Sequence, residues 1–304
     1  MKVARHADGY VTGRPQKSVR FAAMIAHADD PEMLDICIRH HLAAGFEHIF
    51  VSLNRDDPRS AIVARTYSEI GRVRVARMSD YAGDGLKFFT EALPVIREWC
   101  APEWLALIDS DEFWMVEGGN IHNMRGLVGC DVVEVRRFNA PVVSGAERHG
   151  VSPDSLVFAP EERSSHWLRG KVGPKVMVRP DKIQSITQGA HGAEGPGGIR
   201  SAKTTDAVIL HLPFTTLDRF QRKVDAVRAR LGLYGGRFKP SHARHWRAWA
   251  QLNDDGIVSE FKAQCLDAQE AERLVTSGEL VKVSRLLSGV DDTAAAASVC
   301  GPSL

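Results

Sequence analysis

No stretch of the 304-residue sequence approaches the roughly 18 uncharged residues that a bilayer span demands. The basic, polar residues 1–20 also hold no apolar run of the kind a secretory signal requires. A membrane is therefore expected to be touched peripherally at most, and the expected location is the cytoplasm, at the inner face of the membrane if one matters. An excess of one charge is missing too: 39 Lys and Arg stand against 38 Asp and Glu, a net +1, so no bulk field draws polyanions and nucleic acid is not an expected partner. Cysteine is sparse. Cys37, Cys100, Cys130, Cys265 and Cys300 are odd in number and without CxxC spacing, which argues against both a zinc site and a disulfide framework and fits a reducing compartment. There is no internal repeat, and nothing specifies an oligomeric state. What is present is 44% hydrophobic and 25% charged residues, the proportions of a globular chain able to bury a core.

Residues 21–26 form a short apolar run without alternation, as expected of a strand covered on both faces. Asp29, Asp30 and Pro31 then cap and open a helix whose apolar positions Met33, Leu34, Ile36, Cys37 and Leu42 recur until Gly45. The alternation continues with strand 48–53, helix 62–70, strand 73–76, helix 86–99 and strand 104–108. It predicts an α/β fold with a parallel sheet, helices on both faces and right-handed crossovers. Ligands of such sheets lie at the carboxyl ends of the strands. The polar residues there are His27 and Asp29, then Asn54 to Asp57, then Asp109-Ser110-Asp111. Shorter β runs at 132–136, 175–178 and 208–212, separated by Gly- and Pro-rich loops, predict a mixed α+β half, and from Thr215 onward the chain reads as mainly helical. The expected organisation is a polar lead-in (1–19), one α/β domain (20–230) with an alternating half (20–115) and a mixed half (116–230), a helical appendage (231–290) and a mobile tail of small residues (291–304).

The segment Trp104-Leu-Ala-Leu-Ile-Asp109-Ser-Asp111-Glu112-Phe113-Trp114 is a buried strand ending in carboxylates one residue apart. Such a pair can share Mn²⁺ or Mg²⁺ with phosphate oxygens, because these cations take oxygen ligands and bind through one or two carboxylates plus substrate phosphates. An isolated Asp-x-Asp is more often a solvated turn. The position at the end of the fourth alternating strand, followed by Glu-Phe-Trp, favours the metal-diphosphate site.

The chain here resembles the family 2 type glycosyltransferases of the GT-A fold, in particular the branch related to family 92. The residues that carry the resemblance are Met24-Ile-Ala-His27-Ala-Asp29-Asp30, His41-Leu-Ala-Ala-Gly45-Phe-Glu-His-Ile-Phe-Val51 and Asn54-Arg-Asp-Asp57. They are joined by the Trp104, Asp109, Asp111, Glu112, Phe113 pattern, Lys175-Val-Met-Val-Arg179-Pro180, His191, and His211-Leu-Pro-Phe-Thr-Thr-Leu-Asp-Arg-Phe220-Gln-Arg-Lys223. The resemblance covers about residues 21–223. It implies a GT-A-like, Rossmann-like and mostly parallel central sheet with a nucleotide-binding half (20–115) and an acceptor half (116–230), and transfer of a sugar from a nucleotide sugar, UDP-linked, with inversion, to a glycan or other hydroxyl-bearing acceptor.

Under that resemblance Asp109 and Asp111 hold the cation and His211 contacts metal or diphosphate, where a neutral imidazole suits Mn²⁺. Without the resemblance, His211 reads first as a half-buried histidine bonded to backbone. Asn54 and Asp57 are placed to meet base or ribose, or form an Asx turn. Asp84, before Gly85 and Lys87, caps the third helix or helps its N-terminus bind an anion. Lys223 and Arg222 are candidates to neutralise diphosphate. His191 lies in a glycine-rich stretch around 188–198 that is expected to be a mobile lid, or else a plain surface loop. His41 is expected to pack, as are Trp246, Trp249 and Phe261 with His242 and His245. Inversion requires a base for the acceptor hydroxyl, and Glu161, Glu162, Asp154 and Glu194 are the available carboxylates, with Glu162 preferred. Two rivals stand beside this reading. A sugar-phosphate nucleotidylyltransferase would want a Gly-rich basic opening loop that is missing, and a silent binding module would not need Asp-x-Asp.

Overall fold

The structure is a computed structural model that describes residues 18–27, 30–53, 57–77, 85–144, 151–159, 166–234 and 244–287. Its strands are β1 (Phe21–His27), β2 (His48–Leu53), β3 (Val73–Arg77), β4 (Trp104–Asp109), β5 (Glu112–Val116), β6 (Val132–Asn139), β7 (Val142–Val143), β8 (Leu156–Phe158), β9 (Lys175–Val178), β10 (Ser185–Ile186), β11 (Ala193–Glu194), β12 (Ser201–His211), β13 (Cys265–Leu266) and β14 (Leu280–Lys282). The helices are α1 (Pro31–Ala43), α2 (Pro58–Ser68), α3 (Gly85–Cys100), α4 (Leu217–Tyr234), α5 (Arg244–Trp249), α6 (Asp254–Gln264), α7 (Ala268–Ser277) and α8 (Val283–Leu287).

An eight-stranded sheet runs in the order β3-β2-β1-β4-β9-β6-β12-β5. The first four strands are mutually parallel, as the alternating sequence predicts, and β6 and β12 are parallel as well. β9 lies antiparallel between β4 and β6, and β5 antiparallel beside β12. The result is a mixed α/β fold with a large sheet and flanking helices. Every residue of β1 is buried, which is why its sequence shows no alternation.

Local signals account for the helix starts. Asp30 caps α1 by accepting the Met33 N–H at 3.1 Å, and Pro31 occupies a first-turn position. Asp57 caps α2 in the same way, accepting the Arg59 and Ser60 N–H groups, so this helix begins at Pro58 and not at 62. Two other boundaries shift: β6 continues to Asn139, and β12 starts at Ser201, its polar first half masking strand character until the register irregularity between Lys203 and Val208.

At the end of α1, His41 is fully buried, as expected of a packing residue. Its Nδ1–H donates to the Cys37 carbonyl at 2.8 Å and its Nε2 accepts the Trp114 N–H at 3.3 Å, while His40 Nε2–H donates to the Trp114 carbonyl at 2.9 Å. Gly45 follows with φ +90°, a left-handed conformation. A Cβ there would lie 2.5 Å from Asn120 Oδ1. Gly45→Ala is therefore expected to destabilise the fold by about 1–3 kcal/mol, combining backbone strain with the clash, as read from urea midpoints.

The stretch 188–198 departs from the mobile lid that its glycines suggest. Ile186 pairs with Ala193 in a β10–β11 hairpin, the Gly192 carbonyl accepts the Thr187 N–H and hydroxyl, and Ala190 is fully buried in a cluster with Phe89, Leu93 and Ile96 of α3. Small apolar anchors, Ile186, Ala190, Ala193 and Ile199, order a segment that glycine content alone would leave loose.

The C-terminal helices join the sheet domain through β13 paired with β7 and β14 paired with β8. Trp246, Trp249 and Phe261 pack with Phe214, Phe220 and Trp167 in one aromatic core, the packing expected from sequence, and His245 stacks on Trp167 with ring centroids 4.4 Å apart. Among the described residues no helix is long and apolar enough to cross a membrane.

Candidate active site

Five strand ends meet at one rim of the sheet. β4 ends in Asp109 and β5 begins two residues later at Glu112, so the Asp109-Ser110-Asp111 segment bridges strands that are not neighbours in the sheet. β9 begins there with Lys175, β6 ends there with Arg137 and Asn139, and β12 ends there with His211, paired in register with both Glu112 and Asn139.

The carboxylates are held by cations of the chain itself. Glu112, with 0% exposure, accepts from Arg137 at 2.5 Å through Oε1, and through Oε2 it meets Lys175 at 3.3 Å and the Asp109 N–H at 3.0 Å. Lys175 Nζ, 1% exposed, donates to Asp109 at 2.6 Å. Burial opposes the Lys175 charge, but Asp109 and Glu112 hold its pKa above the ordinary lysine value, so it stays an ammonium. Asp111 is held by Lys223 of α4, whose Nζ also lies 5.8 Å from the Trp246 ring centroid. Burial works against the Asp111 charge, yet the Lys223 ammonium keeps its carboxyl far below the usual range. Arg219 of the same helix pairs with Asp30 and Glu32, which fixes α4 against the start of α1.

His211 faces the other side of Asp111, with Nε2 3.7 Å from Oδ1. Its tautomer follows from its neighbours. The Asn139 amide donates to the Leu168 carbonyl at 3.1 Å, which turns Asn139 Oδ1 towards His211 Nδ1 at 2.7 Å, so Nδ1 carries the proton. Burial lowers the His211 pKa, while the Asp111 carboxylate beside it works in the other direction. Its Nε2 lies against an Asp111 carboxylate oxygen, an imidazole nitrogen and a carboxylate side by side at the end of the sheet. That donor pair, one imidazole nitrogen and one carboxylate, is chemically suited to a divalent cation. Among the described residues no group of three or more His, Cys, Asp or Glu side chains is arranged around a metal position.

On the β1 side of the same segment, His27 is buried between two serines. Its Nε2 lies 2.7 Å from Ser60 Oγ and its Nδ1 3.0 Å from Ser110 Oγ, and Ser60 Oγ in turn donates to Asp57 Oδ2 at 2.5 Å.

The structure therefore brings together His27, Asp57, Asp109, Asp111, His211 and Lys223 of the residues expected from sequence. His191 lies on the β10–β11 segment and donates through Nδ1 to the Pro174 carbonyl, adjacent to Lys175. Asp29, Asn54, Asp84, Glu161 and Glu162 lie outside the described residues. Lys87 belongs to α3, with its side chain outside the description. Of the other carboxylates considered for a base, Asp154 pairs with Lys282 and Glu194 accepts from Ser185.

Sequence reasoning missed Arg137, Asn139 and Ser60, and it named Lys175, Glu112 and Ser110 only as parts of motifs, without a role. A signal existed for two of them: Lys175 and Arg137 are charges at the ends of otherwise apolar strands.

No family model and no curated protein sequence matches the chain. Among solved structures it is similar to S. aureus TarS 1-349, with 13% identity and a TM-score of 0.36 over 69% of this chain and 65% of that one. It is also similar to TarS 1-349 in complex with UDP, with 12% identity and a TM-score of 0.35 over the same shares. The match thus spans a little under two thirds of the length of those structures.

Proposed function

We propose that this protein is a glycosyltransferase that moves a sugar from a nucleotide-sugar donor, UDP-linked, to a hydroxyl-bearing acceptor such as a glycan, with inversion and with Mn²⁺ or Mg²⁺. The observation that carries the reading is the pairing of Asp111 with Nε2 of His211 at the carboxyl end of the sheet. A divalent cation bound there would balance the negative charge that grows on the departing nucleoside diphosphate.

In this reading Asp111 and His211 hold the cation, and Lys223, released from Asp111, turns its ammonium to a phosphate oxygen. Asp109 is kept in place by Lys175, so its role is to orient the donor and not to supply the main metal contact. Asp57 and His27 act on the nucleoside side, together with Asp29, Asn54, Asp84 and Lys87 from the neighbouring loops. His191 closes the Lys175 side of the cleft. Glu162, with Glu161 as its neighbour, is the proposed base that takes the acceptor proton.

Two measurements test this. A thermal-shift panel of nucleoside diphosphates should show stabilisation by UDP that is larger with Mn²⁺, since a ligand that binds only the native state raises apparent stability. No shift with any nucleotide would remove the reading. In addition, Lys223→Met should bind Mn²⁺ several-fold more tightly than the native protein, followed by the electron paramagnetic resonance of free Mn²⁺. The substitution removes the cation that competes for Asp111. Unchanged or weaker binding would show that the cation does not go to Asp111.

A further inference from the structure

The hydrogen bonds running from Asp57 to Ser110 have one possible direction. Asp57 accepts the Ser60 and Arg59 N–H groups, and its pKa is lowered, so despite some burial it is an ionised, purely accepting carboxylate. Ser60 Oγ, 2.5 Å from Asp57 Oδ2, must then give its proton to that oxygen. Having spent its proton, the Ser60 hydroxyl can only accept from His27, so the His27 proton is on Nε2. His27 is 1% exposed, and burial lowers its pKa to about 4, so the ring is neutral and Nδ1 bears a lone pair. The partner of that lone pair is Ser110 Oγ, 3.0 Å away, which must therefore donate inward. The Ser110 backbone is fixed as well, its N–H bonded to the Ala26 carbonyl.

The consequence lies at the surface. Ser110 is partly exposed at the rim of the sheet between Asp109 and Asp111. With its only proton turned inwards, it offers outward nothing but oxygen lone pairs. A phosphate oxygen would be repelled there, whereas a group carrying a proton can donate to it. Moving along a nucleotide away from the diphosphate, the first such groups are the ribose hydroxyls.

We propose that Ser110 is a specificity-determining residue that accepts a hydrogen bond from a ribose hydroxyl of the donor, and that Asp57, Ser60 and His27 are positioning residues that fix it as an acceptor. This rests on the nucleotide-sugar reading above. It adds a discrimination between ribose and deoxyribose that neither Asp109 nor Asp111 needs to supply.

The test compares UDP with 2′,3′-dideoxyuridine diphosphate by titration calorimetry in the presence of Mn²⁺. The native protein should prefer UDP by about tenfold, the worth of one hydrogen bond. Ser110→Ala should lose most of that preference by weakening UDP while leaving the dideoxy nucleotide unchanged. Ser60→Ala, which frees His27 to take the other tautomer, should reduce the preference in the same direction with Ser110 intact. Nitrogen-15 resonance of the histidine rings in the native protein gives a readout that packing alone would not produce: His27 should show a protonated Nε2 and an unprotonated Nδ1. Equal affinity of the native protein for both nucleotides, or a protonated Nδ1 on His27, would overturn the proposal. Failure of both nucleotides to bind would instead overturn the nucleotide-sugar reading beneath it.

Discussion

Asp111→Asn is expected to lower sugar transfer by about 10²–10³-fold, the usual cost of losing one group that stabilises charge at the transition state. The substitution keeps the size of the side chain and removes its charge. His211 would then face an amide and not a carboxylate, and the pair suited to a divalent cation would be gone. The loss should appear as a fall in kcat together with loss of the Mn²⁺-dependent part of the UDP thermal shift. Stability should fall by about 1–3 kcal/mol, because Asp111, 14% exposed, loses its charged partner, while Lys223, 33% exposed, can turn its ammonium to water. Retained activity in Asp111→Asn would remove the cation from this side chain, and an unfolded variant would assign Asp111 to the fold.

Lys175→Met should produce a larger loss of stability, of about 3–5 kcal/mol. Lys175 and Glu112 are both removed from water, and Glu112 has no exposed oxygen with which to recover hydration. Taking away the ammonium leaves Glu112 with Arg137 on one oxygen and only the Asp109 N–H on the other. It also releases Asp109 from its 2.6 Å contact, so activity should fall along with stability. Lys282→Met provides the control: the same side-chain change at an exposed pair with Asp154, 59% and 77% exposed, where solvent screening limits the effect to less than about 1 kcal/mol. Urea denaturation of the two variants side by side measures the contrast. Similar midpoints would show that the buried cluster contributes no more than a surface pair.

The half of the fold that could be read in the sequence is the half whose neighbours in space are neighbours in the chain. β1, β2, β3 and β4 come with their intervening helices and with caps at Asp30 and Asp57, so both their order and the rim of the sheet they point to are local information. The insertion of β9 between β4 and β6 joins segments about seventy and forty residues apart along the chain, a pairing that no periodicity announces. This explains the uneven reading of the site. Asp109 and Asp111 are visible as carboxylates on a strand end, while Lys175 and Arg137 become meaningful only once β9 and β6 bring them to Glu112. Ser60 escaped, and Ser110 was seen without a role, for another reason: a serine carries little compositional signal, and its role here depends on which way one proton points. The glycine-rich 188–198 segment shows the converse error, in which composition outweighed a few small apolar anchors.

β5 is the last strand of the sheet, and the contacts made by α1 give it an unusual boundary. Glu112 and Trp114 would otherwise present main-chain groups outward with no strand beside them. Instead the Cys37 thiol donates to the Glu112 carbonyl, and His41 and His40 engage the N–H and the carbonyl of Trp114. Three side chains of one helix thus reproduce the hydrogen bonding of a missing neighbour strand. An open strand of this kind is a template on which another chain can add by backbone pairing, and natural proteins blunt such templates by covering them. Because β5 follows directly from Asp111, the same cover also keeps a foreign strand from pulling on the segment that carries the carboxylates. Solubility and the integrity of the site are in this way secured by the same pair of histidines.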